Sequence, residues 1–98
     1  MKVRYAETAL AEIDEILSYI AKDNPLAADE VTAVLLATIN RLAEYPRLAI
    51  QTDDPTIRVM PVLPYRYLIF YALDDDTIII RNVRHSARQQ LYRHDEAA

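Results

Sequence analysis

Residues Pro64 to Arg88 read PYRYLIFYALDDDTIIIRNVRHSAR, and this stretch decides the fold. Leu68, Ile69, Phe70 and Tyr71 on one side and Ile78, Ile79 and Ile80 on the other are aromatic or largely β-branched, the residue types that suit a pleated, half-buried surface. Asp74, Asp75 and Asp76 lie between them. Their short carboxylates tolerate turn conformations and favour solvent, so the two runs are antiparallel neighbours in a hairpin. Apolar residues fall on both faces of Leu68 to Ala72, which places the pair at the centre of a sheet covered on one side and partly occluded on the other.

Working outward, the turn residues punctuate the chain at Asp23-Asn24-Pro25, Tyr45-Pro46 and Asp53-Asp54-Pro55. No glycine is present, which excludes Gly-rich phosphate loops and leaves Asn, Asp and Pro to make the turns. Residues 2 to 5 alternate polar and apolar, as a short edge strand does. From Thr8, a candidate N-cap, Leu10, Ile13, Ile16, Leu17 and Ile20 form one helical stripe, with Glu12, Asp14 and Glu15 expected to face water. Asn24 followed by Pro25 restarts a helix, because proline's missing N–H costs nothing in a first turn. Ala28, Val31, Leu35, Ile39 and Leu42 carry its stripe until the chain breaks before Pro46. The short connection forces an antiparallel helix hairpin, and its apolar stripes need the sheet of strands near 56 to 62, 65 to 73 and 77 to 84 as a platform. The expected order is βααβββ, an α+β fold in one domain over residues 1–98. A last short helix is expected from Ser86, as its cap, through Arg93, with His94 to Ala98 as a frayed tail.

Composition narrows the class of protein. With 98 residues, 52% of them hydrophobic, the chain can bury a core without disulfide or metal staples. It has no cysteine and two histidines, so a disulfide framework and a cysteine zinc site are excluded and no structural metal is expected. No apolar run approaches the length of a membrane span, and acidic residues interrupt the amino-terminal segment where a signal peptide needs an apolar one. A cytoplasmic protein is expected. Charge is divided unevenly: residues 1 to 55 hold 5 basic and 10 acidic side chains, whereas 56 to 94 hold 6 basic and 3 acidic. Such polarity suits a partner that brings carboxylates to the sheet side.

The order βααβββ, the helix start DNPLAA, and YLIFY followed by an acidic turn and RNVRHSAR resemble the ParE branch of the RelE/ParE toxin superfamily of toxin–antitoxin systems. The resemblance spans nearly the whole chain and includes a V-x-H-x-x-R pattern at Val83, His85 and Arg88. It implies a toxin that inhibits DNA gyrase by binding, with no cofactor. It also implies a ParD-like antitoxin partner that lays an acidic segment across the toxin in a hetero-oligomer, with operator DNA reached only through the antitoxin. The target-binding residues it implies are Arg84, His85, Arg88, Gln89, Tyr92 and Arg93, and the antitoxin-binding residues Tyr67, Ile69, Tyr71 and Arg81.

RelE-like members of the superfamily are ribosome-dependent mRNA endonucleases. Cutting RNA through its own 2′-hydroxyl needs a base, cations for the charge that builds on the phosphate and an acid for the leaving oxygen. Arg66, Arg81, Arg88 and Tyr92 are the residues that chemistry would use here. The RelE-like aromatic strand, however, resembles Tyr-Arg-x-x-Tyr, and aligning its tyrosines on Tyr67 and Tyr71 puts Leu68 where the phosphate-facing arginine stands. Excess acid over base also disfavours ribosome binding. A binding toxin is therefore the leading expectation, the endoribonuclease is the alternative, and a non-toxic interaction module is a third reading. Each residue has a bland reading too. His85 can bond a carbonyl or carboxylate at the strand exit, Arg81, Arg84 and Arg88 can be a solvated strand edge and helix start, and Tyr65, Tyr67 and Tyr71 can be core.

Overall fold

A computed structural model describes residues 1–86, and the elements follow the punctuation. They are β1 (Lys2–Tyr5), α1 (Glu7–Asp23), α2 (Pro25–Glu44), β2 (Ile50–Gln51), β3 (Arg58–Val62), β4 (Tyr67–Asp74) and β5 (Thr77–His85). The two helices lie on one face of a single five-stranded sheet ordered β1-β5-β4-β3-β2. All neighbours are antiparallel except β1 and β5, which run parallel. This is the expected α+β architecture with one addition, the two-residue strand β2 at the edge, too short to show an alternating pattern. The expected helix from Ser86 to Arg93 lies outside the described residues except for Ser86 itself.

Asn24 joins the helices as anticipated. Its backbone N–H donates to the Ile20 carbonyl at 3.0 Å, closing α1, while its side-chain oxygen accepts from the Ala27 N–H at 3.1 Å, opening α2. The start of α1 differs from expectation. Its N-cap is Ala6, with no side-chain cap bond, and not Thr8. The cause is tertiary: the Ala6 N–H donates to the Ile80 carbonyl at 2.9 Å, so the chain is tied to β5 up to the residue before the helix. That phase turns Ala9 inward, fully buried, and leaves Leu10 mostly exposed. A methyl group there lets the helix approach the sheet closely, and Ile13, Ile16, Leu17 and Ile20 pack as half-buried residues behind it.

The α2 stripe is as read, with Ala28, Val31, Leu35, Ile39 and Leu42 all buried. Beneath it the sheet contributes Val62, Ile69, Tyr71, Ile78, Ile80 and Val83. In β5 the buried residues step by two and then by three, which strict alternation forbids. A bulge supplies the extra residue: Tyr71 pairs with Ile80 and Phe70 with Asn82, leaving Arg81 between ladder positions. One bulged residue re-aims everything after it, so Val83 returns to the core face and exposed Arg81 is pushed out.

The β4–β5 turn is tight, since Asp74 pairs directly with Thr77. Asp75 takes φ 53°, a left-handed conformation that Asp tolerates and that glycine would ordinarily supply. At the other edge, Thr52 and Asp54 organise the β2–β3 connection. The Asp54 carboxylate accepts from the Thr56 hydroxyl at 2.7 Å and its N–H at 2.9 Å. Those two bonds hold the Asp54 carboxyl below its ordinary value, with the Arg81 charge a smaller contributor. A group with a lowered folded value favours the folded state above its unfolded value, near 3.8, and that contribution disappears as pH falls through the folded one. An NMR titration of Asp54 is expected to find a midpoint below 3.8, and Thr56→Ala to move it upward; an unmoved midpoint would refute the assignment.

Candidate functional site

The parallel pairing of β1 ends at Tyr5 opposite Ile80, but β5 continues to His85. Beyond the bulge, the edge that β1 covered has no strand on it among the described residues. An uncovered strand edge presents unpaired N–H and C=O groups, which folded proteins usually blunt. Here a side chain of α1 does so. Glu12 accepts from the Val83 N–H at 3.0 Å and from the Asn82 side-chain amide at 3.2 Å through one oxygen, and from Arg84 Nε at 3.4 Å through the other. Glu12 is thus not the water-facing residue expected of the acidic helix surface. No local pattern could have shown this, since its partners are 70 to 72 residues away in sequence.

Magnitudes separate the parts of this cluster. The Glu12–Arg84 pair is partly exposed, with 24% and 35% of the side chains accessible, and such pairs contribute about 0–1 kcal/mol. Hydrogen bonds to a charged group are worth about 1.5–3 kcal/mol, less with solvent access. The backbone N–H of Val83 is therefore the stronger anchor, and the arginine is oriented more than it is stabilised.

Around the exit of β5 stand three further groups. The Tyr67 and His85 rings meet edge to face, with centroids 5.7 Å apart and planes at 87°, as the direct pairing of these residues across the ladder allows. Burial pushes the Tyr67 phenol above its ordinary value, and Tyr19 adds to the effect, so Tyr67 is neutral and can donate at physiological pH. The Ser86 N–H donates to the Arg66 carbonyl at 2.8 Å, extending the grip of β4 on the chain one residue past the strand.

The sequence-derived residues fall in different places. Arg84 and His85 sit together at this exit, while Arg88, Gln89, Tyr92 and Arg93 lie outside the described residues. Ile69 and Tyr71 are fully buried and Tyr67 packs against the same core. The helices cover that face at Ile69 and Tyr71, in keeping with the reading of the tyrosines as core, and Tyr67 is half-buried beside them. The other sheet face carries Leu68, Phe70 and Ala72 with Val59 and Ile79, and there Phe70 is buried and the rest half-buried. Both faces of β4 are apolar, so alternation alone could not choose between them.

The cations expected of a nuclease are spread out. Arg66 lies in the turn before β4, exposed, rather than in the strand. Arg81 is at the bulge, level with Phe70 and Tyr71. Four to five residues of strand separate the two levels, roughly 15 Å at the usual rise. Between them Leu68 faces Arg84 across the ladder, and Arg84 is turned to Glu12. Among the described residues, no three His, Asp or Glu side chains are grouped to hold a metal ion, and no helix is long and apolar enough to cross a membrane.

A second surface lies on the opposite flank of the helices. A groove of about 340 Å³ runs between α2 and β3, lined by Val34, Ala37, Met60 and Leu63 with Arg41 on its rim.

Three comparisons bear on this arrangement. A family model described as "ParE toxin of type II toxin-antitoxin system, parDE" matches residues 3–90. The chain is 33% identical over 88 residues to a protein of Sinorhizobium fredii (strain NBRC 101917 / NGR234) named "Putative toxin Y4kP", spanning 90% of this chain and 91% of that one. Its fold is similar to a solved structure described as "Chromosomal ParDE TA system from P. aeruginosa", with a TM-score of 0.76, 15% identity and coverage of 87% of this chain and 95% of that one. At that identity the likeness concerns the fold alone.

Proposed function

The chain belongs to the ParE toxins of type II toxin–antitoxin systems, and from that premise we propose that it acts by binding DNA gyrase and is neutralised by a ParD-like antitoxin. The observation that carries binding over RNA cleavage is the strand pair Leu68–Arg84. Leucine occupies the position where a nuclease of the superfamily carries its phosphate-facing arginine, and the arginine opposite it is engaged by a carboxylate. Stabilising a pentacovalent phosphate needs cations aimed at one point, whereas Arg66 and Arg81 stand at different levels of the sheet, on the turn before β4 and at the β5 bulge.

In this reading the exit of β5, with Arg84 and His85, presents the segment that follows to the target, and Arg88, Gln89, Tyr92 and Arg93 are the further contacts. The antitoxin's acidic segment covers the sheet face of Leu68, Phe70 and Ile79, flanked by exposed Arg4 and Arg81, in place of the closed Tyr67, Ile69 and Tyr71 face. Operator DNA is contacted through the antitoxin, and the complex is a cytoplasmic hetero-oligomer.

A supercoiling assay with purified gyrase tests the proposal. Saturating protein is expected to abolish supercoiling, and removal of residues 86–98 to restore it while the truncated chain still unfolds cooperatively. Full supercoiling alongside poisoned cells would defeat the gyrase reading. Codon-phased cuts in translated mRNA that vanish with Arg81→Ala would establish the endoribonuclease instead.

A further inference from the structure

We propose that Glu12 is a positioning residue for the toxic end of the molecule: by gripping the bulged β5 edge it fixes the direction in which the chain leaves the sheet and the orientation of Arg84. This inference deepens the binding reading above and rests on it for its functional consequence.

The argument begins with what the strand would do without that carboxylate. From Asn82 onward β5 keeps its pairing with β4 and, among the described residues, has no second strand beside it. The bulge weakens the ladder where that one-sided stretch begins. A strand held along one edge, next to an irregularity, can twist away from its partner, and each degree at the bulge displaces what lies beyond His85. Glu12 opposes this at the right level. Its oxygens take up three consecutive residues, Asn82, Val83 and Arg84, at 3.2, 3.0 and 3.4 Å. The anchor is a backbone donor, so the constraint acts on the chain direction itself and not only on a side chain.

The helix supplying it is rigidly placed. Ala6 is bonded to Ile80, Ala9 is fully buried, and Glu12 is the next residue along that face, three positions on. The same contact that starts α1 at the sheet therefore sets where the carboxylate lies. An ordinary surface ion pair would engage the guanidinium alone and would leave Val83 N–H to water.

The two readings differ in a measurable way. Glu12→Ala is expected to speed amide exchange at Val83 by at least about tenfold, the factor implied by losing one hydrogen bond to a charged group, and to shift the Arg84 Nε resonance. It is also expected to raise the concentration needed to inhibit gyrase supercoiling by a similar factor while unfolding remains cooperative. Glu12→Gln keeps an oxygen for Val83 and is expected to restore exchange protection, with inhibition recovered in part; it also serves should the alanine variant not fold. Unchanged Val83 exchange with an unchanged Arg84 resonance in Glu12→Ala would overturn the inference, as would an unmoved Arg84 resonance in Glu12→Gln, which removes the charge, or wild-type inhibition by a variant whose Val83 has lost protection. Should the wild-type chain leave gyrase untouched, the gyrase reading falls by itself. The exchange and resonance data then still decide whether Glu12 sets the strand exit.

Discussion

Replacing Tyr71 by alanine is expected to lower stability by about 3–5 kcal/mol, the range for removing a buried aromatic side chain. Tyr71 has no solvent exposure and sits at the centre of the sheet beneath both helices. Its hydroxyl donates to the Pro46 carbonyl at 2.7 Å, tying the sheet to the connection after α2, and Arg58 supports that connection from β3 through the Ala49 carbonyl at 2.9 Å. Alanine would leave both a cavity and an unpaired carbonyl. Domains of this kind have only about 5–15 kcal/mol in total, so urea denaturation should show a midpoint near the edge of the native baseline. Tyr71→Phe keeps the ring and loses the bond, with an expected cost of about 1 kcal/mol. A loss for alanine no larger than for phenylalanine would show that packing at this site is loose.

The same phenol gives a signature in alkali. Burial pushes its ionisation above the ordinary value, against smaller opposing effects of an Ala49 backbone bond and the Arg58 charge. A raised folded value means that stability is fully present below the unfolded value, near 10, and falls as pH rises through the folded one. Tyr71→Phe should flatten part of that decline, Tyr67 accounting for a further part.

Adjacent leucines on α2 provide the second large effect and its own control. Leu35 is 3% exposed and Leu36 is 51% exposed, one step of about 100° apart on the same helix. Leu35→Ala removes atoms from the middle of the core and is expected to cost about 2–5 kcal/mol. Leu36→Ala exchanges an exposed leucine for the best helix former, and is expected to stay within about 0.5 kcal/mol of wild type. Both are read from chemical denaturation of the purified protein. Equal costs would mean that the helix sits in a different rotation on the sheet.

How much of this was legible in the sequence depended on whether the cause was local. Asn24-Pro25 was readable because a cap and a first-turn proline act on neighbouring residues, and the α2 stripe because its period is its own. The acidic turn was readable for the same reason. The start of α1 was not, because a bond from Ala6 to Ile80 decides it. The two-residue β2 carries no pattern at all. The choice of covered face on β4 was hidden by equally apolar residues on both sides, and the phase of β5 after Ile80 turned on a bulge at Arg81 that no spacing announced. Glu12 was missed since its role exists only where β1 stops and β5 continues. At the candidate site, then, Arg84 and His85 could be placed on the strand exit in advance, but not the carboxylate that bonds Val83 and Arg84.

The parallel pairing of β1 with β5 also has a timetable. Lys2 pairs with Thr77, so during synthesis the first strand must wait for a partner some 75 residues later. At about 5–20 residues per second, that wait is roughly 4–15 seconds, long after the helix hairpin has had time to form. The edge that anchors the start of α1 is therefore among the last parts to close, and the strand exit it orients is completed in the same event. A chain of this build stays incomplete until β5 emerges, so its folded form is reached only after nearly all of the described residues have been made.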